Sequence, residues 1–348
     1  MRVAVIGAGP AGLTAARGLD ADVFEEHEEV GLPRHCTSLV SSTGAGAVGI
    51  PNGLVVRRYR LLTAASLSGR AVYFTLRNPV YLIDRPGLEQ KLAEGVEGLK
   101  LGEQAVEVRG GYVRTRRGVY GPYDLVVIAE GSARRFSGRL ERVVRLPGLQ
   151  VDARIPGRPV DEMLVIYDKR ISDEYFAWVV HIDGDVYRIG LADSGAVPQK
   201  LAKLLKALRA EPVGRPFGGG VLAGPPHGRV VGPGYALVGD AAGLTKPLSG
   251  GGIVLAMRSG EALNEALRKG EPQLYEGATK ALRARLRLAH RAYWLMYRRG
   301  LVHKALEIYN GQHFVAVDYD DHLKTLAVAA ATTAKSLKAL AEALRLLL

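Results

Sequence analysis

The sequence predicts an α/β protein in which a parallel-sheet lobe is assembled from separate segments, a β-rich lobe is inserted into it, and a helical region follows. Three observations carry this reading. An apolar run at residues 2–6 leads directly into Gly7-Ala8-Gly9-Pro10-Ala11-Gly12 and a helix ending near Gly18. A second apolar run, residues 235–238, stops at Gly239-Asp240 and precedes the turn Ser249-Gly250-Gly251-Gly252 and a helical pattern beginning near Gly250. Between them lie alternating, strand-like segments such as 55–62 and 71–76, with turns at Pro51-Asn52-Gly53 and Ser68-Gly69.

At 348 residues, 47% of them hydrophobic, the chain can bury a sizeable core. Lys and Arg outnumber Asp and Glu by 47 to 35, a formal charge of +12 that favours anionic partners: phosphorylated substrates, acidic lipid headgroups or nucleic acid. Cys36 is the sole cysteine, so no intramolecular disulfide and no multi-cysteine metal site can form, and a reducing cytoplasm is the simplest compartment. The histidines are scattered without i, i+4 pairing, and neither a phosphate-binding P-loop nor Gly-x-Ser-x-Gly occurs. The apolar run at 3–6 is too short for a signal peptide, and the apolar stretch 325–334 is too short to span a bilayer. Few Asn and Gln beside many Arg and Glu point to a heat-adapted source.

The N-terminal strand is followed by a turn whose first glycine redirects the chain. The second glycine lets backbone approach a pyrophosphate, and the third packs helix on strand. Residues 22–24 read as the next strand, ending at Glu25, close to where a Rossmann fold places the carboxylate that accepts ribose hydroxyls. The second glycine-rich stretch builds a socket. Asp240 can hold ribityl or sugar hydroxyls, Gly251 and Gly252 let backbone approach a flat ligand, and the helix dipole behind them favours negative charge. Two such motifs at opposite ends of one chain predict a Rossmann-like FAD-binding domain with an inserted β-sheet substrate domain and a helical C-terminal region. The expected boundaries are 1–45, 81–140 and 220–276 for the FAD-binding domain, 46–80 and 141–219 for the β-rich domain, and 277–348 for the helical region.

The loop 26–40 contains Gly31-Leu32-Pro33-Arg34-His35-Cys36-Thr37-Ser38. Glu25, Gly31, Pro33 and Cys36 at these spacings resemble the N-terminal signature of the geranylgeranyl reductase family, FAD enzymes that saturate double bonds of isoprenoid chains. Tyr175-Phe176-Ala177-Trp178 resembles that family's tyrosine-x-tryptophan strand, which lines the isoprenoid pocket. The resemblance covers residues 1–45, 81–132 and 235–256 well and the β-rich lobe thinly. It implies hydride transfer from reduced flavin to an alkene carbon, with a proton supplied to the neighbouring carbon. It also implies a catalytic role for Cys36 or His35. Cofactor contacts would come from Gly7, Gly9, Ala11, Gly12, Glu25, Cys36, Thr37, Arg85, Ala105, Gly131, Gly239, Asp240, Gly251, Gly252 and Ile253, and substrate contacts from Tyr175 and Trp178.

The remaining elements follow in order. Residues 81–92 read as a strand, then Arg85 and a helix with Pro86 in its first turn; in related flavoproteins an arginine here meets the pyrophosphate. Residues 104–108, 112–116 and 118–120 read as a meander, and 123–129 as a buried strand ending at Glu130-Gly131. Strands are expected near 164–168, 175–181 and 186–192, and an amphipathic helix at 199–209. Residues 218–220 and 224–226 are expected to carry the chain back to the strand before Asp240.

From 277 to 306 a helical region carries eight Lys or Arg and no acid. Leu282, Leu286, Ala289, Tyr293 and Met296 share one stripe, and Arg283, Arg287 and Arg291 another. One reading docks this helix on the FAD lobe with a solvated basic back. The other puts Tyr293, Trp294 and Tyr297 against anionic lipid. Leu323, Leu326, Ala330, Thr333, Leu337, Leu340, Leu344 and Leu347 form a seam for packing on the body or between two copies.

An FAD-dependent reductase acting on an isoprenoid lipid or prenyl phosphate is the function expected, cytoplasmic or peripheral at a membrane. The rivals are a flavin monooxygenase on the same fold and a flavin-bearing RNA-binding protein. Against the latter, the aromatic residues near the basic helix are too few for a stacking platform, so no nucleic-acid partner is expected. Only one dinucleotide fingerprint is present, so the sequence names no electron donor.

Overall fold

The computed structural model describes residues 1–157, 162–316 and 319–320. Its first sheet has the order Val231–Gly232, Tyr235–Leu237, Leu125–Ile128, Val3–Ile6, Ala21–Phe24, Leu99–Lys100. All neighbours are parallel except the edge pair Val231–Gly232 and Tyr235–Leu237. Val3–Ile6 and Leu125–Ile128 are buried along their whole length, as strands covered on both faces must be, which is why they read as unbroken apolar runs. Ile6, Phe24, Ile128 and Leu237 stand in register. The turns that follow them therefore gather at one edge of the sheet, where parallel α/β folds place their ligands.

Glycine makes that edge tight. A Cβ on Gly12 would lie 2.0 Å from the Gly7 carbonyl oxygen, and Gly7 itself has φ +103°. The helix Pro10–Ala16 is crossed by Ile253–Arg268, and at the crossing a Cβ on Gly260 would come within 2.6 Å of the Ala11 carbonyl oxygen. The second helix starts at Ile253 with Gly252 as its cap. The expected start near Gly250 is too early because Gly250 has φ +67° and its N–H bonds back to the Lys246 carbonyl at 2.8 Å.

The second sheet has ten strands. Ala71–Ile83 lies beside Val55–Ala65, which pairs parallel with Glu162–Ile166; Ala177–Asp183, Val186–Ala192 and Val144–Arg154 follow across the sheet. One face carries the amphipathic helix Val197–Leu208, whose Leu201 and Leu204 pack on Val151, Ile189 and Leu191. On the other face Val72, Leu76, Val80 and Leu82 are buried at the even positions of Ala71–Ile83, the period of two that one covered face imposes. The meander at Ala105–Arg109, Tyr112–Thr115 and Val119–Tyr120 forms as the sequence predicts.

Four elements differ from expectation. Phe217–Gly224 is a strand paired with Val144–Arg154, in place of a glycine connector; a Cβ on Gly218 would sit 2.1 Å from the Gly148 carbonyl oxygen, so the glycines permit close strand approach while erasing the strand signal. Ser42–Ala47 is a short helix capped by the Ser41 hydroxyl, which accepts from Gly44 N at 2.8 Å; its small residues carry no apolar period. The strand expected from 175 starts at Ala177, because Tyr175 and Phe176 fold out to stack on one another with ring centroids 4.4 Å apart. His313–Ala316 is a strand added parallel to the edge of Ala71–Ile83, within the region read as helical.

The helix Lys280–Tyr293 docks on the parallel-sheet lobe through Leu286 and Leu282. Arg283 does not belong to a solvated back. It is 4% exposed, ion-paired with Glu276 and donating to the Gly228 carbonyl. Tyr293 and Tyr297 are buried among other rings, leaving Trp294 exposed under the Arg299 guanidinium, so the three rings do not form a lipid-facing row. No helix among the described residues is long and apolar enough to cross a membrane. The seam from Leu323 to Leu347, and any pairing of copies through it, lies outside the described residues.

Candidate functional site

One cavity of about 1330 Å3 opens at the shared edge of the parallel strands and runs along the covered face of the β-rich sheet. Gly7, Gly9 and Ala11 form its wall at the first turn, Glu25 at the end of the second strand, and Asp240, Gly251, Gly252 and Ile253 at the second motif. Glu25 is fixed by accepting from Ala8 N at 2.8 Å and by His27 at 2.6 Å. Gly131 lines the opposite side, where the Glu130 carboxylate accepts from Phe136 N and Ser137 N, with the Ser137 bond at 2.7 Å, and so shapes the turn that follows.

Arg85 enters from the first turn of Arg85–Ala93, whose cap is Asp84, and donates to Glu89 Oε1 at 2.6 Å. Burial works against its charge, but Glu89, Cys36 and Asp240 around it more than restore it and raise the pKa above the ordinary arginine value. Arg85 is thus a fixed cation between the Cys36 loop and the second motif. Burial pushes the Asp240 carboxyl above the usual carboxylate range, against the hydrogen bond from Thr245 at 2.7 Å and the attraction of Arg85 and Arg134. A buried, under-solvated carboxylate beside a glycine-lined turn is suited to receive ligand hydroxyls.

The Cys36 loop is held by Gln150, which is 2% exposed. Gln150 Oε1 accepts from Thr37 Oγ1 at 2.8 Å and from Trp178 Nε1 at 3.2 Å, while its Nε2 donates to the His35 carbonyl at 3.1 Å. Cys36 is half-buried on the cavity wall, and its Sγ accepts from Ser38 N at 3.2 Å. His35 is exposed and gives its Nδ1–H to the Gly218 carbonyl at 3.1 Å. Tyr175 Oη donates to the Pro247 carbonyl at 3.1 Å, tying the β-rich lobe to the second motif.

No family model matches the chain. A digeranylgeranylglycerophospholipid reductase of Methanothermobacter thermautotrophicus is 28% identical over 304 residues, covering 74% of each chain. A geranylgeranyl bacteriochlorophyll reductase-like protein of Thermoplasma acidophilum superposes with a TM-score of 0.81 at 20% identity, covering 98% of both chains. The chain is similar in sequence and in fold to proteins named as geranylgeranyl-type reductases. The same fold is found in Klebsiella pneumoniae HpxO, solved with FAD and uric acid, at a TM-score of 0.63 and 18% identity over 88% of this chain and 92% of that one.

The residues present fit that cofactor. On the cavity wall at Gly9 an added Cβ would meet nothing within 4 Å, so the backbone there is bare for a close ligand. Ser249, on the cavity lining beside the second motif, has a buried Oγ with no hydrogen-bond partner among the described residues, an orphaned polar group of the kind that calls for a polar ligand.

Of the residues named from the sequence, Gly7, Gly9, Ala11, Glu25, His35, Cys36, Thr37, Arg85, Ala105, Gly131, Asp240, Gly251, Gly252, Ile253, Tyr175 and Trp178 all line this one cavity. Gly12 and Gly239 do not. They stand behind the wall, where Gly12 meets the Gly7 carbonyl and Gly239 would meet Ala11 and Ala256. Sequence reasoning missed Gln150, Ser249, and the Tyr319-Asp320 pair. Asp320 bonds both Lys246 and Ser41, and Tyr319 lines the cavity with the Lys246 Nζ 4.7 Å from its ring centre. The partners of Gln150 and Asp320, 113 and 279 residues away at Thr37 and Ser41, are too distant in sequence for any local pattern to announce them.

Proposed function

We propose that this protein saturates the C=C bonds of isoprenoid chains of the geranylgeranyl type, carried on a lipid or a phosphate. One observation supports the reading best: the glycine-lined cradle and the apolar face of the β-rich sheet belong to one continuous cavity, and Cys36 lines it. In the proposed assignment Gly7, Gly9, Ala11 and Glu25 receive the adenosine and pyrophosphate portion of FAD, with Arg85 as the balancing cation. Asp240 and the helix beginning at Ile253 take the ribityl and ring portion. When bound and reduced, FAD supplies hydride. The apolar floor orients the chain and excludes water. Cys36 Sγ or the His35 ring carries the proton that must reach the second alkene carbon.

Chemically reduced protein mixed with a geranylgeranyl lipid under anaerobic conditions tests this. Products that gain two hydrogens per double bond, seen by mass spectrometry, support the reading. An unchanged lipid together with hydroxylation of a small phenol in air would replace it with the monooxygenase reading.

A further inference from the structure

The cavity has a near end and a far end, and the sheet gives the distance between them. The Ser38 carbonyl accepts from Ile83 N at 3.0 Å, so the Cys36 loop sits at one end of the strand Ala71–Ile83. Phe74 lies toward the other end, roughly 30 Å away at the rise of an extended strand. Leu82, Leu76 and Phe74 share the even-numbered face and all line the cavity, so a flexible apolar chain reacting beside Cys36 would extend along them toward Phe74.

At that far end the added strand His313–Ala316 pairs Phe314 with Phe74. Their rings stack with centroids 5.9 Å apart and planes 30° apart, and Tyr309 meets Phe314 edge-on at 5.6 Å and 83°. His313 and Val315, the alternate positions, are exposed, so Phe314 is the residue this strand turns inward. The strand is anchored at its entry: Gly311 N donates to the Ala71 carbonyl at 2.8 Å, Tyr73 N to the Gln312 carbonyl at 2.9 Å, and His313 Nε2 meets Thr75 Oγ1 at 2.7 Å. The rings are therefore held in place at the far end, packed in one apolar cluster with buried Val72 and Leu306, which line the cavity there too.

We infer that the Phe74–Phe314 pair, braced by Tyr309, is the stop that sets the longest isoprenoid chain this pocket accepts. The inference rests on the isoprenoid reading of the same cavity. A packed aromatic wall excludes an added prenyl unit because interiors resist overpacking, whereas truncating one ring leaves room for it.

The test uses the FAD-loaded full chain and calorimetric binding of all-trans prenyl monophosphates of increasing length, from three isoprene units upward. Wild-type protein should bind progressively tighter and then lose affinity sharply at one length. Phe314→Ala should move that cutoff longer by about one unit, gaining ~10-fold for the first excluded chain, with shorter chains little changed. Phe314→Trp should move it shorter, which keeps the test decisive if the alanine variant does not fold. A cutoff unmoved by either folded variant, or affinity that never falls with length, overturns the stop while leaving the isoprenoid reading intact. Failure of wild-type protein to bind any of these chains overturns both.

Discussion

At the scale of single residues, the loop that carries Cys36 is held in place by Gln150. One amide satisfies Thr37, Trp178 and the His35 carbonyl, so Gln150→Leu leaves several partners unpaired and should cost about 1–3 kcal/mol in chemical denaturation. Cys36→Ser should keep fold and FAD but slow alkene reduction, with flavin reduction by an artificial donor unchanged. A variant with the full alkene-reducing rate would remove Cys36 from the chemistry. Asp240→Ala should weaken FAD retention by about 1.5–3 kcal/mol, read as cofactor lost on dilution. Glu25, Arg85, Cys36 and Asp240 were legible because each stands at a fixed offset from a glycine turn or a motif. Gln150 was not, since it sits on an ordinary strand and its partner Thr37 is 113 residues away.

At the scale of elements, glycine decides where helices and strands can touch. The crossing of Pro10–Ala16 with Ile253–Arg268 has no room at Gly260, so Gly260→Ala should lower stability by about 1–3 kcal/mol, whereas Gly46→Ala meets nothing within 4 Å and should be neutral or stabilising. Equal melting temperatures for the two variants would refute the packing argument. Glycine also hid an element. Phe217–Gly224 reads as a connector because its glycines remove the side chains that signal a strand, and they are there so that Gly218 can lie against Gly148. The short helix Ser42–Ala47 was lost for a related reason: its residues are too small to show a period.

At the scale of the whole molecule, a polar knot around buried His227 fastens the helix Lys280–Tyr293 to the parallel-sheet lobe. The Arg134 guanidinium donates to His227 Nε2 at 2.6 Å and to the Asp240 carbonyl at 2.9 Å, Arg287 donates to the His227 carbonyl, and Arg283 to that of Gly228. Burial, reinforced by Arg134, lowers the His227 pKa from 6.5 to about 4. The unfolded chain therefore binds this proton first, so the stability is fully present above pH 6.5 and declines as pH falls toward 4, by on the order of 3 kcal/mol at the lower limit. Melting temperature should fall across that window, and His227→Gln should flatten the fall. An equally steep profile in the variant would show that other groups control it.

The sequence by itself determined the parallel-sheet lobe and the glycine turns and carboxylates that its strands bring to one cavity. Those features follow from local constraints written in residue type: unbroken apolar runs for strands covered on both faces, glycine where a Cβ would strike backbone, and a carboxylate at a strand end. Tertiary structure alone decided that the cradle and the apolar sheet face form one cavity, that Gln150 holds the Cys36 loop, and that Phe314 comes to rest on Phe74. Each of these depends on strand register and on contacts between segments far apart in the chain, and side-chain identity in a local window does not encode which distant backbone will be opposite it.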